Sequence, residues 1–271
     1  MTPTEDPTRL AILANAMQAI ADEMGAILVR SAFSTIVREA RDCATALLDA
    51  DGAVVAQAEM IPIHNGGLSQ AFQASAAQLD LSGIGPDHAI LLNDPYAGGQ
   101  HLNDFIVFQP IFVHDELIGW AGNTAHHLDV GGGGAGINID ASDLIQEGII
   151  IPPLLIDVKK DLHGGPIERL IFANVRTPAL GRGDFYAQIA ANRTGIERMQ
   201  ELAGRAGVAT VRRAMQETLL YAERRMRAAI ATIPVGTWHG QAMIDNDVRG
   251  TEPLVIKAKV TVSEGGNIEL D

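Results

Sequence analysis

Two apolar runs near the middle of the chain decide the fold: Phe105-Ile-Val-Phe-Gln-Pro-Ile-Phe-Val113 and Leu117-Ile-Gly-Trp-Ala-Gly-Asn-Thr-Ala125. Each run has the length and the apolar content of a strand. The polar residues His114-Asp-Glu116 lie between them, and a short polar break between two strands is typical of a hairpin turn. The sequence therefore predicts an antiparallel hairpin whose two open ends meet at the same edge of a sheet.

Further strand signals surround this hairpin. Cys43–Asp49 and Ala53–Ala58 flank the turn residues Asp51-Gly52, which predicts a second hairpin. Ala89–Leu92 is a short apolar run that ends at Asn93-Asp-Pro95, as a strand does at a turn. We therefore expect the central part of the chain to be rich in strands.

Helical periodicity flanks the strands on both sides. Apolar residues recur at three- and four-residue spacings near the N-terminus, and Thr8 is the expected N-cap of that helix. Gly204 and Gly207 are expected to separate two long helices in the second half. The predicted helices are Leu10–Leu28, Gly66–Leu79, Phe185–Leu202 and Ala206–Ile233. Together these elements predict an α+β fold, with mixed sheets of hairpins and long helices packed against them.

The order of the elements predicts three regions. Residues 1–183 form an α+β region with the candidate metal site, 184–235 a helical segment, and 236–271 the start of a further β region. In the last region, alternate residues of 254–262 are apolar, and a glycine pair then turns the chain into Asn267–Asp271. Because this return strand stops at the last residue, we expect the β region to be truncated.

The charge balance is acidic and unevenly distributed. The chain has 33 acidic and 20 basic residues, a net charge of −13, which argues against nucleic acid or an anionic membrane as a partner. Residues 42–158 contain no Lys or Arg, but they hold fifteen Asp and Glu and six of the eight His. A solvated acidic surface is one explanation of this tract. A metal site is the other, and the histidines favour it.

Nothing in the sequence indicates secretion or a membrane. The N-terminus lacks the basic and apolar segments of a signal peptide, and no apolar run approaches the roughly 18 residues that span a bilayer. The single cysteine, Cys43, excludes an internal disulfide and suggests a reducing compartment. We therefore expect a cytoplasmic protein with no membrane partner.

Two histidine-containing motifs bracket the central hairpin. His101 and Asp104 lie three residues apart before its first strand, and His126-His-Leu-Asp129 follows its second strand. Imidazole and carboxylate are ligands that suit Zn²⁺, Mn²⁺ or Fe²⁺. Because an antiparallel hairpin brings its ends together, His101, Asp104 and His126 can surround one ion. Asp129 or His127 is then a further ligand or a partner that orients the ligands.

Other catalytic motifs are absent or poorly supported. Gly131-x-Gly133-x-x-Gly136 has the spacing of a dinucleotide-binding loop, but no helix is predicted to begin at its last glycine. The chain has no Walker phosphate-binding loop, and Cys43 has no evident base beside it. Three arginines near the ends of elements are candidate anion ligands: Arg38, Arg41 and Arg193.

Six motifs, in order along the chain, give it a resemblance to a known family. They are Arg41-Asp-Cys43, Gln57-Ala-Glu-Met-Ile-Pro-Ile-His64, Asn93-Asp-Pro-Tyr-x-Gly-Gly-x-His101-x-x-Asp104, His126-His-x-Asp-Val-Gly-Gly132, Gln146-Glu-Gly148 and Ala187-Gln-Ile-Ala-Ala-Asn192. In these motifs, and over nearly its whole length, the chain resembles the hydantoinase B / oxoprolinase family. That family includes N-methylhydantoinase beta subunits, the C-terminal half of 5-oxoprolinase, and large subunits of acetone and acetophenone carboxylases.

The resemblance implies a metal-binding subunit of an ATP-dependent enzyme. In that family a hydantoinase A-like partner subunit binds ATP and activates a carbonyl by phosphorylation, and the subunit that resembles this chain handles the activated intermediate. The implied ligands of a divalent metal (Zn, Mn or Fe) are His101, Asp104 and His126. The implied general base, or the residues that orient the ligands, are His127, Asp129 and Glu147.

Three functional hypotheses follow. The leading one is a metal-binding catalytic subunit of an ATP-dependent cyclic amide hydrolase, which acts on a hydantoin-, 5-oxoproline- or lactam-like ring within a hetero-oligomer. The second is a subunit of an ATP-dependent ketone carboxylase, in which the activated enol is carboxylated instead of hydrolysed. The third is a truncated, non-catalytic scaffold that binds the ATPase subunit.

Overall fold

Six antiparallel strands form the central sheet of the first part of the chain. A computed structural model describes residues 7–246, 250 and 252–271, and the chain divides into two units, Met1–Met215 and Gln216–Asp271. The strands of the first unit are β1 (Cys43–Asp49), β2 (Val54–Gln57), β3 (His88–Leu92), β4 (Asp104–Val113), β5 (Glu116–His126) and β6 (Leu154–Asp157). Their order in the sheet is β2-β1-β5-β4-β3-β6, and all neighbours are antiparallel.

The central hairpin is confirmed as β4 and β5. His114 and Asp115 form its two-residue loop with φ angles of 48° and 65°, and positive φ at both central residues is the property of a type I′ turn. At the open end of the hairpin, Asp104 and His126 are direct partners in the register. The predicted β1–β2 hairpin and the predicted strand β3 are confirmed as well.

Helices cover both faces of this sheet. The helix α3 (Pro62–Ala76) packs on one face and α6 (Pro178–Ala206) on the other. Consecutive residues of β4 point to opposite faces, so Phe105 contacts the α6 side and Ile106 the α3 side. Burial of each such side chain contributes roughly 1.5–3 kcal/mol to stability. These contacts confirm the predicted α+β class.

The first helix, α1 (Pro7–Ser31), packs against α6 and against β1. Gly195 of α6 faces Met24 of α1, where an added Cβ would lie 2.4 Å from the methionine Sδ, so a larger residue there would require the Met24 side chain to move. By length and composition α1 is apolar enough to cross a membrane. Its buried residues, which include Met17 and Leu28, lie in the protein core instead, as in the core helix of a globular unit.

Several helix boundaries differ from the prediction. Thr8 lies within α1, so its assignment as the N-cap was wrong. α3 begins at Pro62, because proline suits the first position of a helix, and this places His64 in its first turn rather than in a loop. α6 continues through Gly204, and Gly207 alone separates it from the next helix. The remaining helices are α2 (Thr35–Arg38), α4 (Val158–Asp161), α5 (Pro166–Ala173) and α7 (Val208–Ile230).

The second unit contains the end of α7 and a three-stranded antiparallel sheet. Its strands are β7 (Gly236–Ile244), β8 (Leu254–Ser263) and β9 (Asn267–Leu270), in the order β7-β8-β9. The predicted alternation of β8 and its return strand are confirmed. The register places a set of exposed apolar side chains on one face of this sheet: Trp238, Ile244, Leu254, Ile256, Ile268 and Leu270.

Candidate metal centre

The three predicted metal ligands meet at the open end of the β4–β5 hairpin. Asp104 is the first residue of β4, His126 is the last of β5, and His101 lies in the turn before β4. One ligand atom from each residue lies within 4.8 Å of the others. His101 Nε2 is 3.2 Å from Asp104 Oδ2, and His126 Nδ1 is 3.6 Å from Asp104 Oδ1. This arrangement leaves room between the three side chains for one ion.

The carboxylate of Asp104 is buried, and its polar neighbours are imidazole nitrogens at 3.2–3.7 Å. Its side chain is 2% exposed, and neither oxygen makes a hydrogen bond of acceptable geometry to any described residue. A buried carboxylate whose oxygens accept no well-formed hydrogen bond is energetically costly, because the water it has lost is not fully replaced. A bound cation removes that cost, and the surrounding imidazole nitrogens supply the remaining ligands. The residues present therefore fit a divalent metal.

Two further side chains, Asp42 and His64, complete the cluster. Asp42 precedes β1 and lies beside His126, with its Oδ2 3.6 Å from His126 Nδ1. His64 Nε2 is 2.7 Å from Asp42 Oδ1, and its Nδ1 is 3.7 Å from Asp104 Oδ2. Both residues belong to motifs that carry the family resemblance, but sequence reasoning did not assign them as ligands. We call these five residues the ligand cluster: Asp42, His64, His101, Asp104 and His126.

The pKa values of His101 and His126, the two histidines beside Asp104, are shifted in opposite directions. The neighbouring Asp104 carboxylate raises the pKa of His101, which is partly exposed. Burial lowers the pKa of His126 and favours its neutral form. A neutral imidazole has a free lone pair, which is the form that binds a metal.

His127 points away from the ligand cluster. Its ring stacks on Phe105, with 4.1 Å between the ring centroids, and its Nε2 lies 3.0 Å from Oε1 of Gln188 on α6. The backbone of His127 is fixed to Asn103 through both its N–H and its carbonyl. Burial lowers the pKa of His127 and favours the neutral ring. The structure therefore places this predicted catalytic residue between the hairpin and α6.

Asp129 is engaged by a glycine-rich loop and by Arg176. Its Oδ1 accepts hydrogen bonds from Gly131 N at 3.0 Å and from Arg176 Nη1 at 3.2 Å, and its Oδ2 accepts from the backbone of Arg176 and Thr177. The same guanidinium donates to the carbonyls of Gly131, Gly132 and Gly134. Arg176 lies outside the tract without basic residues, and no local sequence signal links it to Asp129.

Glu147 lies against the same glycine-rich loop. Gly132 has a φ of 72°, and an added Cβ there would lie 2.5 Å from the carbonyl of Gln146 and 2.6 Å from that of Glu147. The loop and the 146–149 segment are also joined by a hydrogen bond from Gly133 N to Gln146 O. Residues 131–143 contain no helix, which agrees with the rejection of a dinucleotide-binding loop.

A cleft of about 1070 Å³ is lined by residues next in sequence to two members of the ligand cluster, while the cluster residues themselves do not line it. It is bounded by α1 and by the segment from the end of β2 to the first turn of α3. Arg41, with a φ of 55°, and Asn65 line it, and they are next in sequence to Asp42 and His64 of the cluster. Of the other candidate anion ligands, Arg193 pairs with Glu197 on the exposed face of α6, and Arg38 lies in α2.

Comparison with known proteins gives consistent matches over the whole chain. The family model described as Hydantoinase B/oxoprolinase matches residues 6–271. The caprolactamase subunit beta of Pseudomonas jessenii is 32% identical over 96% of this chain and 44% of its own length. The 5-oxoprolinase of Dictyostelium discoideum is 34% identical over 100% of this chain and 20% of its own length. The chain thus spans less than half the length of these curated relatives.

Solved structures agree with the sequence matches. The crystal structure of the ATP-dependent caprolactamase from Pseudomonas jessenii superposes with a TM-score of 0.89 and 31% identity, over 99% of this chain and 46% of that one. A nucleotide-free acetone carboxylase structure matches with a TM-score of 0.84 at 21% identity, over 98% of this chain and 37% of that one. The second likeness is one of fold.

Proposed function

Because the chain belongs to the Hydantoinase B/oxoprolinase family, we propose that it is the metal-binding catalytic subunit of an ATP-dependent cyclic amide hydrolase. Among the relatives above 30% identity, two carry the names of a caprolactamase and a 5-oxoprolinase, and both names denote hydrolysis of a cyclic amide. The substrate class is therefore a lactam-like ring, such as a caprolactam, a hydantoin or 5-oxoproline.

The buried Asp104 carboxylate is the observation that carries the metal proposal. His101, Asp104 and His126 hold a divalent ion, Zn²⁺, Mn²⁺ or Fe²⁺, and Asp42 and His64 lie within reach as further ligands. When bound, such an ion polarises a carbonyl oxygen or lowers the pKa of a water molecule. The cleft lined by Arg41 and Asn65 receives the substrate, and Arg41 offers a cation to an activated, anionic form of it.

The other predicted catalytic residues receive different proposed roles. His127 and Asp129 are occupied by Gln188 and Arg176, so we assign them to holding the strand ends and the glycine-rich loop in place. Glu147, on the segment that packs against this loop, stays our predicted general base.

The proposed complex includes a hydantoinase A-like subunit that binds ATP, in a cytoplasmic hetero-oligomer. This chain contributes the ligand cluster, and the partner contributes the nucleotide and the phosphorylation step. The ketone carboxylase alternative has support from fold likeness alone, because the acetone carboxylase match is at 21% identity. ATP-dependent opening of a lactam ring, compared with bicarbonate incorporation into a ketone, separates the two reactions.

The metal content of the chain, co-expressed with the ATP-binding subunit, tests the proposal. We expect one divalent ion per chain, loss of that ion and of turnover in His101→Ala, and an unchanged far-UV spectrum. His239→Ala, at an exposed histidine of the second unit, is the matched control and is expected to keep both. Full metal content in His101→Ala would show that the ligand assignment is wrong. A metal-free wild-type chain in a stoichiometric complex would favour the scaffold hypothesis.

A further inference from the structure

The helix α6 presents a stripe of buried polar side chains to the sheet. Asp184, Gln188 and Asn192 are spaced at intervals of four residues, so they lie on one face of the helix, and each is fully buried. Gln188 and Asn192 belong to the motif Ala187-Gln-Ile-Ala-Ala-Asn192, whose role no sequence argument explained. Buried polar groups are retained where their hydrogen bonds fix a particular arrangement.

Gln188 bridges the two strands at the position of the metal ligands. Its Nε2 donates to the carbonyl of Phe105 at 2.7 Å, and its Oε1 lies 3.0 Å from His127 Nε2. Phe105 directly follows Asp104, and His127 directly follows His126. One side-chain amide therefore contacts the residue next to each of two ligands that are partners in the β4–β5 register.

The hydrogen bonds fix the orientation of this amide. Nε2 of Gln188 also donates to Oδ1 of Asn123 at 2.8 Å, so the nitrogen faces two oxygen acceptors and Oε1 must face the His127 ring. His127 Nε2 is then the donor of this hydrogen bond. A second link lies further along the strands, where Nδ2 of Asn123 donates to Oδ1 of Asn192 at 2.7 Å and Nδ2 of Asn192 donates to the carbonyl of Val107 at 3.1 Å.

We propose that Gln188 is a positioning residue for the metal centre. Its amide holds the two strands together at the point where β4 begins at Asp104 and β5 ends at His126, and so sets the separation of these two ligands. The inference rests on the proposed metal site. Partners that orient metal ligands typically change metal affinity by roughly 10–100-fold when they are removed. Here the effect acts through the backbone of the hairpin, since Gln188 lies on the α6 side of the sheet and binds no ligand atom.

The affinity of Gln188→Met for Mn²⁺ and for Zn²⁺ tests this role. Methionine keeps the length and volume of the side chain but removes every hydrogen bond of the amide. Gln200→Met is the matched control, because Gln200 also donates from α6 to a β4 carbonyl, that of Phe112, at the far end of the strand. For Gln188→Met we expect a dissociation constant roughly 10–100-fold higher than that of the wild type, and a changed electron paramagnetic resonance spectrum of the bound Mn²⁺. For Gln200→Met we expect the wild-type constant and spectrum.

The outcomes separate this inference from the proposed function. If the wild-type chain binds neither Mn²⁺ nor Zn²⁺, the proposed metal function fails and the positioning role fails with it. If the wild-type chain binds metal and a folded Gln188→Met binds it equally well, the positioning role alone is overturned. Should Gln188→Met not fold, Gln188→Glu keeps an oxygen toward His127 and takes its place. Loss of folding in both variants would identify Gln188 as a residue of the core and overturn the role.

Discussion

Replacing Asp104 with asparagine separates the free-energy cost of burying the carboxylate from its role as a metal ligand. Asparagine has the shape of the aspartate but no charge, and the oxygens of Asp104 have imidazole nitrogens at 3.2–3.7 Å but accept no well-formed hydrogen bond from the described residues. An unsatisfied buried polar group costs about 1–3 kcal/mol, and more when it is charged. Without metal, Asp104→Asn is therefore expected to be as stable as the wild type or more stable by about 1–3 kcal/mol.

With metal, the order of stability reverses. A ligand at 100 times its dissociation constant stabilises the native state by about 2.7 kcal/mol. For a unit of this size, a change of 1 kcal/mol shifts the melting temperature by about 2–4 °C, so saturating Mn²⁺ or Zn²⁺ is expected to raise that of the wild type by about 5–11 °C. Asp104→Asn is expected to show almost no metal-dependent shift, since a neutral amide is a poor ligand for these ions.

Thermal unfolding at pH 8, with the chain first stripped by a chelator and then titrated with Mn²⁺ or Zn²⁺, measures both quantities. Because Asp104 raises the pKa of His101, the measurement is repeated at a higher pH, where an Asp104–imidazolium attraction contributes less to the comparison. A stripped Asp104→Asn that is about 2 kcal/mol less stable than the stripped wild type would contradict the reasoning, because the carboxylate would then be satisfied without metal. An undiminished response to both ions would contradict it as well.

Two further predictions concern residues outside the ligand cluster. Burial by itself raises the pKa of Glu168, but hydrogen bonds from Tyr186, a backbone amide and Arg182 outweigh it and leave the pKa below its ordinary value of 4.5. The ionised Glu168 carboxylate therefore stabilises the fold above pH 4.5, and this stabilisation is lost as the pH falls through the lowered pKa. In denaturant titrations, Glu168→Gln should be less stable than the wild type at pH 7, and the difference should disappear at acid pH. Gly132→Ala should reduce the free energy of unfolding by about 1–3 kcal/mol, because Gly132 has a positive φ and the new Cβ would lie 2.5 Å from the carbonyl oxygen of Gln146. Turnover should fall as well. Wild-type stability of this variant would mean that the loop adapts to the added methyl group.

The features that the sequence could predict are those set by short-range pattern. The β4–β5 hairpin follows from two apolar runs and a short polar break, and its register alone brings Asp104 beside His126. His101 lies three residues before Asp104, so the chain cannot carry it far away. The α+β class and the three-ligand prediction therefore needed no information about long-range packing.

The features that the sequence could not predict depend on pairing between distant segments. Asp42 reaches the cluster because β1 pairs with β5, a choice among several strands that periodicity does not decide. His64 reaches it because α3 begins at Pro62, four residues before the predicted start; proline at the first position was the available signal. Gln188 had a signal too, since polar residues four apart on an Ala-rich helix face are typical of a buried network and not of a solvated surface.

Residues 42–158 contain no Lys or Arg, so the buried carboxylates of this tract must find their polar partners among other groups. Among the described residues of the tract, Asp104 and Asp129 are buried. Asp129 receives a guanidinium from Arg176, which comes from beyond the tract. Asp104 faces three imidazoles, and burial favours the neutral form of one of them, His126. A lysine or arginine beside Asp104 would compete with a metal ion for the carboxylate, so the absence of a basic side chain there agrees with the proposed metal centre.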